Sequence, residues 1–349
     1  MTPTTTATAP AGPAQETARS RIRSVFRTGS AQNLSLVGAL VVVLGIFGYL
    51  NPAYLSWSNI TVIGTTVTIA GLLAVVQTVV IICGAIDISV GSQAGLAAVV
   101  SAMVFAGSGD GLANGSPWLA VAVALVVGAA CGALNGIIIL YGRVNAIIAT
   151  LAMLAAYKGL AQLISGGRAQ GYLGGDDLFI FIARGSIIGL PTMVWILLAV
   201  AAAVHVLLKF TDIGRNIYAI GGNATAARLA GIKINKYLIS AYMLVGVVAA
   251  LAGIVLVART GSGQPTAGSE GLELKAITAA FLGGCAIAGG RGGIGGTLLA
   301  VALLGALENG MIVVGVNPFW QNVAQGALLV VAVVIQQRRS GERAVGLPT

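Results

Sequence analysis

The chain has 349 residues, of which 57% are apolar and only 8% charged, and its mean hydropathy is +0.95. Ordinary soluble domains run at about 45–50% apolar and about 25% charged, so this chain has too little polar surface to cover itself in water, and lipid is its solvent. The formal charge of +9 is not organised as a basic stripe with interleaved aromatics, which argues against a nucleic-acid partner.

In chain order, the head "MTPTTTATAPAGPAQETARSRIRS" is polar and rich in Thr, Ala and Pro. It reads as a disordered cytoplasmic tail over residues 1–33, too long and polar for a cleaved signal peptide. Apolar runs near the roughly 20-residue spanning length then follow at 34–50, 60–83, 89–107, 118–141 and 146–165, and again at 193–210, 237–258, 271–288, 293–314 and 319–336. With the N-terminus in the cytoplasm, fourteen Lys and Arg residues fall inside and three (Arg168, Arg184, Arg259) outside, while Lys158 and Lys275 lie within spans. Basic residues favour the cytoplasmic side, so the split supports ten spans with both ends inside. The expectation is an all-α membrane protein with about ten transmembrane helices over 34–337 and a cytoplasmic tail at 338–349. "GALNGIIILYGRVN" (132–145) in the fourth span echoes "GALENGMIVVGVN" (305–317) in the ninth. Five spans apart, the copies run in opposite directions, as in an inverted repeat of spans 2–5 and 7–10; shared Gly/Ala composition explains one matched stretch equally well.

A chain this apolar tolerates few charges, so each one is informative. In "CGAIDISVGSQAGLAAVV" (83–100), Asp87 lies between two apolar runs. It is either a solvated turn carboxylate, with Ser89 capping the next helix, or a buried carboxylate at a helix break that holds two spans together at a gate. Lys158 stands mid-span and Glu308 near the outer end of the ninth span, which makes both candidates for the translocation path, with pairing between them open. Glu273 and Lys275 are two apart and so on different faces of a helix. The longest inside loop, 209–236, contains "GGNATAARLAGIK". This reads as a short helix over Ala224–Ala230, with Asn223 as N-cap and Gly231 as its stop. Its apolar surface must meet the bundle ends, the headgroups or a partner protein.

Other chemistry is thinly supplied. Cys83, Cys131 and Cys285 are far apart, and His205 is the single histidine, so neither a disulfide framework nor a zinc site is indicated. "GGRGGIGGT" lacks the lysine that meets phosphates in a nucleotide-binding loop. No cofactor is expected on this chain.

The loop "TDIGRNIYAIGGNATAARLAGI" resembles the coupling-loop signature of permease subunits of bacterial ABC importers for monosaccharides, of the ribose, xylose, arabinose and galactose type. "GAIDISVGS", "VNAIIATLAMLAAYKGLAQLISGG" and "GSEGLELKAITAAFLGGCAIAGGRGGIGGT" are similar to further segments of that family in the same order, and together they cover residues 34–337. The sequence departs from the pattern at Lys275, where Asp is usual, at Cys285, where Thr is usual, and at Asn145-Ala146, where proline is common; Glu273 keeps its place. The resemblance implies a monosaccharide-translocating subunit in the bacterial inner membrane, acting as a homodimer or paired permease. It implies two partners as well: a cytoplasmic ABC ATPase that carries ATP and Mg, and a periplasmic or lipid-anchored sugar-binding protein. It places ATPase coupling on Gly222, Asn223, Ala226, Ala227, Arg228, Leu229 and Gly231, and leaves Asp87, Ser89, Lys158, Glu273 and Glu308 as gating candidates. The rival is an ion-coupled secondary transporter of a small polar solute, for which Lys158 and Asp87 are thin material.

Overall fold

The computed structural model describes residues 18–106, 115–171, 177–266 and 270–340. The described chain is helical apart from two short ribbons. Among the described residues, seven helices are long and apolar enough to cross a bilayer. They are α1 (Ala18–Leu50, apolar from Gln32), α2 (Trp57–Ile82), α4 (Pro117–Tyr141), α5 (Ala146–Ser165), α7 (Thr192–Phe210), α10 (Ile234–Thr260) and α12 (Ile294–Val313). Shorter helices interleave with them: α3 (Val90–Ala106), α6 (Asp177–Arg184), α8 (Asp212–Gly222), α9 (Ala224–Leu229) and α11 (Leu272–Leu282). The last helix of the described residues is α13 (Pro318–Ser340), apolar over Phe319–Val334.

Each of the ten expected spans coincides with a helix, with two corrections. Helix α1 begins at Ala18, where a disordered tail was expected through residue 33. No proline interrupts the sequence between Pro13 and Pro52, and Gln32 is anchored by donating its amide to the Leu282 carbonyl (3.1 Å). Residues 1–17 and 341–349 lie outside the described residues. The eighth span, expected over 271–288, stops at Leu282. Gly283 and Gly284 follow, and Gly284 takes φ +102°, a conformation open to glycine but not to a continuing helix. Eleven residues rise only about 16 Å, about half the bilayer core, so α11 is a half-length helix followed by irregular chain at 283–293.

Buried α2 and α10 form the centre of the bundle. Around them the contacts come in matched pairs. Helix α4 packs on α10, and α12 on α2; α3 packs on α10, and α11 on α2. The pairs α3–α4, α3–α5 and α4–α5 have counterparts in α11–α12, α11–α13 and α12–α13. The matching relates α2–α5 to α10–α13 and puts the two echoing stretches on α4 and α12. The tightest crossing, α4 with α10, is made through glycine. A Cβ on Gly128 would strike the Gly246 carbonyl, one on Gly246 would strike that of Gly128, and one on Gly132 would strike that of Tyr242. Gly128 and Gly132 are one turn apart, the small-residue spacing that lets backbones touch in lipid.

The two ends of the bundle differ. At one end, α8 and α9 form a knob. At the other, Gln170–Gly171 (β1) pairs antiparallel with Ser262–Gly263 (β4), and Ser186–Ile187 (β2) with Leu190–Pro191 (β3).

Candidate functional site

Asp87 is fully buried in the break between α2 and α3, which removes the solvated-turn reading. Its Oδ1 accepts from the Ser89 backbone N–H (2.8 Å) and hydroxyl (2.6 Å), and its Oδ2 accepts from Gln93 Nε2 and Asn135 Nδ2 (both 3.1 Å). The same two amides also donate to Ser89 Oγ at 2.8 Å. All four partners of the carboxyl are donors, which suits the acceptor-only ionised form. Asn135 Oδ1 in turn lies 2.9 Å from the Tyr157 hydroxyl, itself 2.8 Å from the Cys131 carbonyl.

The backbone of the break is held as firmly. Gln77, with its amide oriented to suit, donates to the Asp87 carbonyl (3.2 Å) and accepts from its N–H (3.1 Å). Thr150 Oγ1 accepts from the Ile88 N–H (3.1 Å), and the Tyr242 hydroxyl donates to the Ile86 carbonyl (3.4 Å). Seven residues of irregular chain are thus tied to α2, α3, α4, α5 and α10. Irregular backbone inside a membrane bundle needs such partners, because no water is there to supply them. Of this hub the sequence pointed only to Asp87 and Ser89. Gln77, Gln93, Asn135 and Tyr157 were missed; their signal was polar side chains alone in apolar runs.

The knob rests on this break. Helix α8 is capped by Thr211 and buries Gly214, Ile217 and Ile220. Its last turn meets backbone directly, since a Cβ on Gly221 would overlap the Ile82 carbonyl, and one on Gly289 would come within 2.8 Å of Gly84. Gly290 N–H donates to the Ile82 carbonyl (2.8 Å), and the Tyr218 hydroxyl donates to the Gly292 carbonyl (2.9 Å). Both irregular segments, 83–89 and 283–293, therefore sit against the end of α8. In α9, Asn223 Oδ1 caps by accepting from the Ala226 N–H (2.9 Å), and Gly231 turns the chain at φ +83°. Gly222, Asn223, Ala226, Arg228 and Gly231 are exposed, and Leu229 is 85% exposed, whereas Ala227 is buried. Ala227 anchors the knob and offers no surface to a partner.

The remaining charged candidates gather toward the ribbon end. The question of a Lys158–Glu308 pairing, left open by the sequence, is answered by two other pairs. Lys158 Nζ lies 3.2 Å from exposed Glu270, and Lys275 Nζ lies 2.7 and 2.9 Å from the Glu308 oxygens. Lys275 reaches Glu308 across the α11–α12 contact. Glu273 accepts from the Gly271 N–H at the start of α11 (3.2 Å) and does not pair with Lys275. The three cysteines are buried thiols, and His205 is exposed beside Phe210. Among the described residues, no group of three or more His, Cys, Asp or Glu is placed to hold a metal ion.

Comparison with known proteins assigns this membrane bundle to a family. The family described as "Branched-chain amino acid transport system / permease component" matches residues 59–333. The chain belongs to this permease family. It is similar to the ribose import permease protein RbsC of Escherichia coli K12, 40% identical over 303 residues, covering 86% of this chain and 92% of that one. RbsC of Bacillus subtilis 168 is 37% identical over 313 residues (89% and 95%). The L-arabinose ABC transporter permease protein AraH of Azospirillum brasilense is 33% identical over 320 residues (91% and 92%). No solved structure matches the chain. As a member of the permease family, the chain is an all-α, multi-pass membrane protein and a transport subunit.

Proposed function

We propose that this permease is the membrane subunit of an ATP-driven importer that carries a monosaccharide, ribose-like or another pentose or hexose, into the cytoplasm. The observation that carries the reading is the similarity to ribose and arabinose permeases along nearly the full length of each. The family description names amino acids instead. The individual relatives weigh more, since they are matched at 33–40% identity over most of both chains. Seven long helices, two shorter apolar ones and half-length α11 with the irregular chain after it support a count of ten spans, and the distribution of Lys and Arg supports cytoplasmic termini. The paired contacts of α2–α5 and α10–α13 support an inverted repeat, the arrangement that allows two packings about one path.

In this reading two copies form the path, a binding protein delivers the sugar at the ribbon end, and an ABC ATPase holding ATP and Mg docks on α9. Exposed Arg228 and Leu229 meet the ATPase. Force applied there passes through α8 to the Gly221–Ile82 and Gly290–Ile82 contacts. Those contacts border the Asp87 segment, whose hub keeps the break between α2 and α3 rigid while the helices around it move. The ion-coupled alternative gains little, because protein donors already occupy all four positions around the Asp87 carboxyl and leave no opening for a coupling ion. The test is uptake of labelled D-ribose, L-arabinose and L-leucine by proteoliposomes holding the permease, its ATPase and its binding protein. Pentose uptake that requires ATP is expected. Uptake driven by an ion gradient without the ATPase, or of leucine alone, would overturn the reading.

A further inference from the structure

Two clefts flank α11 at the ribbon end and share a wall. One lies among α2, α11 and α12 and is largely apolar, with Thr66, Ala70 and Ala279 in its lining. The other lies among α11, α12 and α13 and carries the amides of Gln321, Asn322 and Gln325. Lys275, Leu304 and Glu308 border both. Each cleft holds about 390 Å³ of non-protein space, which includes the solvent at its open mouth.

The hydrogen-bonding capacity around the α13 cleft is only partly used. Two of the three Lys275 donors meet the two Glu308 oxygens, so one ammonium hydrogen and further carboxylate lone pairs stay open. Both side chains remain reachable, at 31% and 26% exposure. The amides of Gln321, Asn322 and Gln325 make no hydrogen bond to any described residue. An ion pair that only pinned α11 to α12 would not need three unpaired amides beside it. Facing hydrocarbon, such amides are costly; facing a hydroxylated molecule, they are matched. We propose that Lys275, Glu308, Gln321, Asn322 and Gln325 form a solute-contacting subsite for a small polyhydroxylated molecule. Lys275 donates to its hydroxyls, Glu308 accepts from them, and the amides do both. The inference rests on the sugar-permease reading and assigns a contact point within it.

Two variants of the complete transporter test it in sealed proteoliposomes. All three native cysteines are buried, so Gln325→Cys gives a nearly silent background for a charged, water-soluble thiol reagent. Rapid labelling by that reagent is expected. Labelling only by a membrane-partitioning maleimide would make lipid the occupant and overturn the subsite. In the second arm, Gln321→Leu/Gln325→Leu, which leaves the ion pair intact, is compared with the parent for D-ribose and L-arabinose moved per ATP hydrolysed. A fall of at least tenfold is expected, with binding-protein-stimulated ATPase within twofold of the parent. An unchanged ratio, or ATPase lost together with uptake, would overturn solute contact. A parent that moves neither pentose, with Gln325→Cys still labelled from water, would refute the sugar reading and the polyol assignment together while marking the cleft as water-filled.

Discussion

Asp87 and Asn135 are 48 residues apart, yet the Asn135 amide lies 3.1 Å from Asp87 Oδ2 and 2.8 Å from Ser89 Oγ, with all three side chains buried. One amide therefore locks α4 to the break between α2 and α3. Because the ionised Asp87 carboxylate can only accept, the amide turns its nitrogen toward Asp87 and its oxygen toward the Tyr157 hydroxyl.

Removing the carboxylate should unlock the break. Asp87→Ala strands the Ser89 N–H and weakens the anchoring of Gln93 and Asn135; a buried unmet donor costs about 1–3 kcal/mol. A clear fall in melting temperature in detergent is expected, with ATPase binding retained. Asp87→Asn keeps an oxygen for Ser89 but turns an NH₂ toward two amide donors. It should also destabilise, though less, because Gln93 can turn and offer the Oε1 that has no partner in the native arrangement. A melting curve for Asp87→Ala that overlays the parent would remove the hub from the account.

The knob should behave in the opposite way. Arg228 and Leu229 are exposed on α9, and surface substitutions usually change stability by less than about 0.5 kcal/mol. Arg228→Glu and Leu229→Ser should melt like the parent, yet fail to retain the ATPase in a pull-down and lose binding-protein-stimulated hydrolysis. Normal docking of both variants would place coupling elsewhere.

The α4–α10 crossing gives a packing test with its own control. Gly246→Ala puts a methyl group into the Gly128 carbonyl and forces the helices apart, where overpacking costs about 1–3 kcal/mol. Gly159→Ala, on α5, has open space around the added methyl and removes a glycine from a helix, so it should be neutral or slightly stabilising. Equal melting temperatures for the two variants would mean that the helices are not in contact as described.

Orientation is checked with two single cysteines. Ile188 is 88% exposed at the hairpin tip and Leu229 is 85% exposed on the knob. In intact cells Ile188→Cys should react with a membrane-impermeant maleimide, and Leu229→Cys only after permeabilisation. The reverse pattern would invert the topology.

Much of this protein was legible in one dimension because bilayer thickness imposes it. A run of about 20 apolar residues has few choices in lipid, so the positions of the spans followed from hydropathy, and the echo of 132–145 in 305–317 anticipated the matching of α4 with α12. The short helix of the knob was equally local, since Asn223 and Gly231 are a cap and a stop wherever they fold. Hydropathy did not reveal that α11 would end at Leu282, because the residues after it are as apolar as a span; the left-handed turn at Gly284 is a backbone property. Partners were beyond the sequence's reach as well. Whether Asp87 met water or four buried donors, and whether Lys158 met Glu308 or Glu270, depended on which helices stand beside each other. Charges and amides act over a few ångströms, and only tertiary packing brings residues from five helices to that distance.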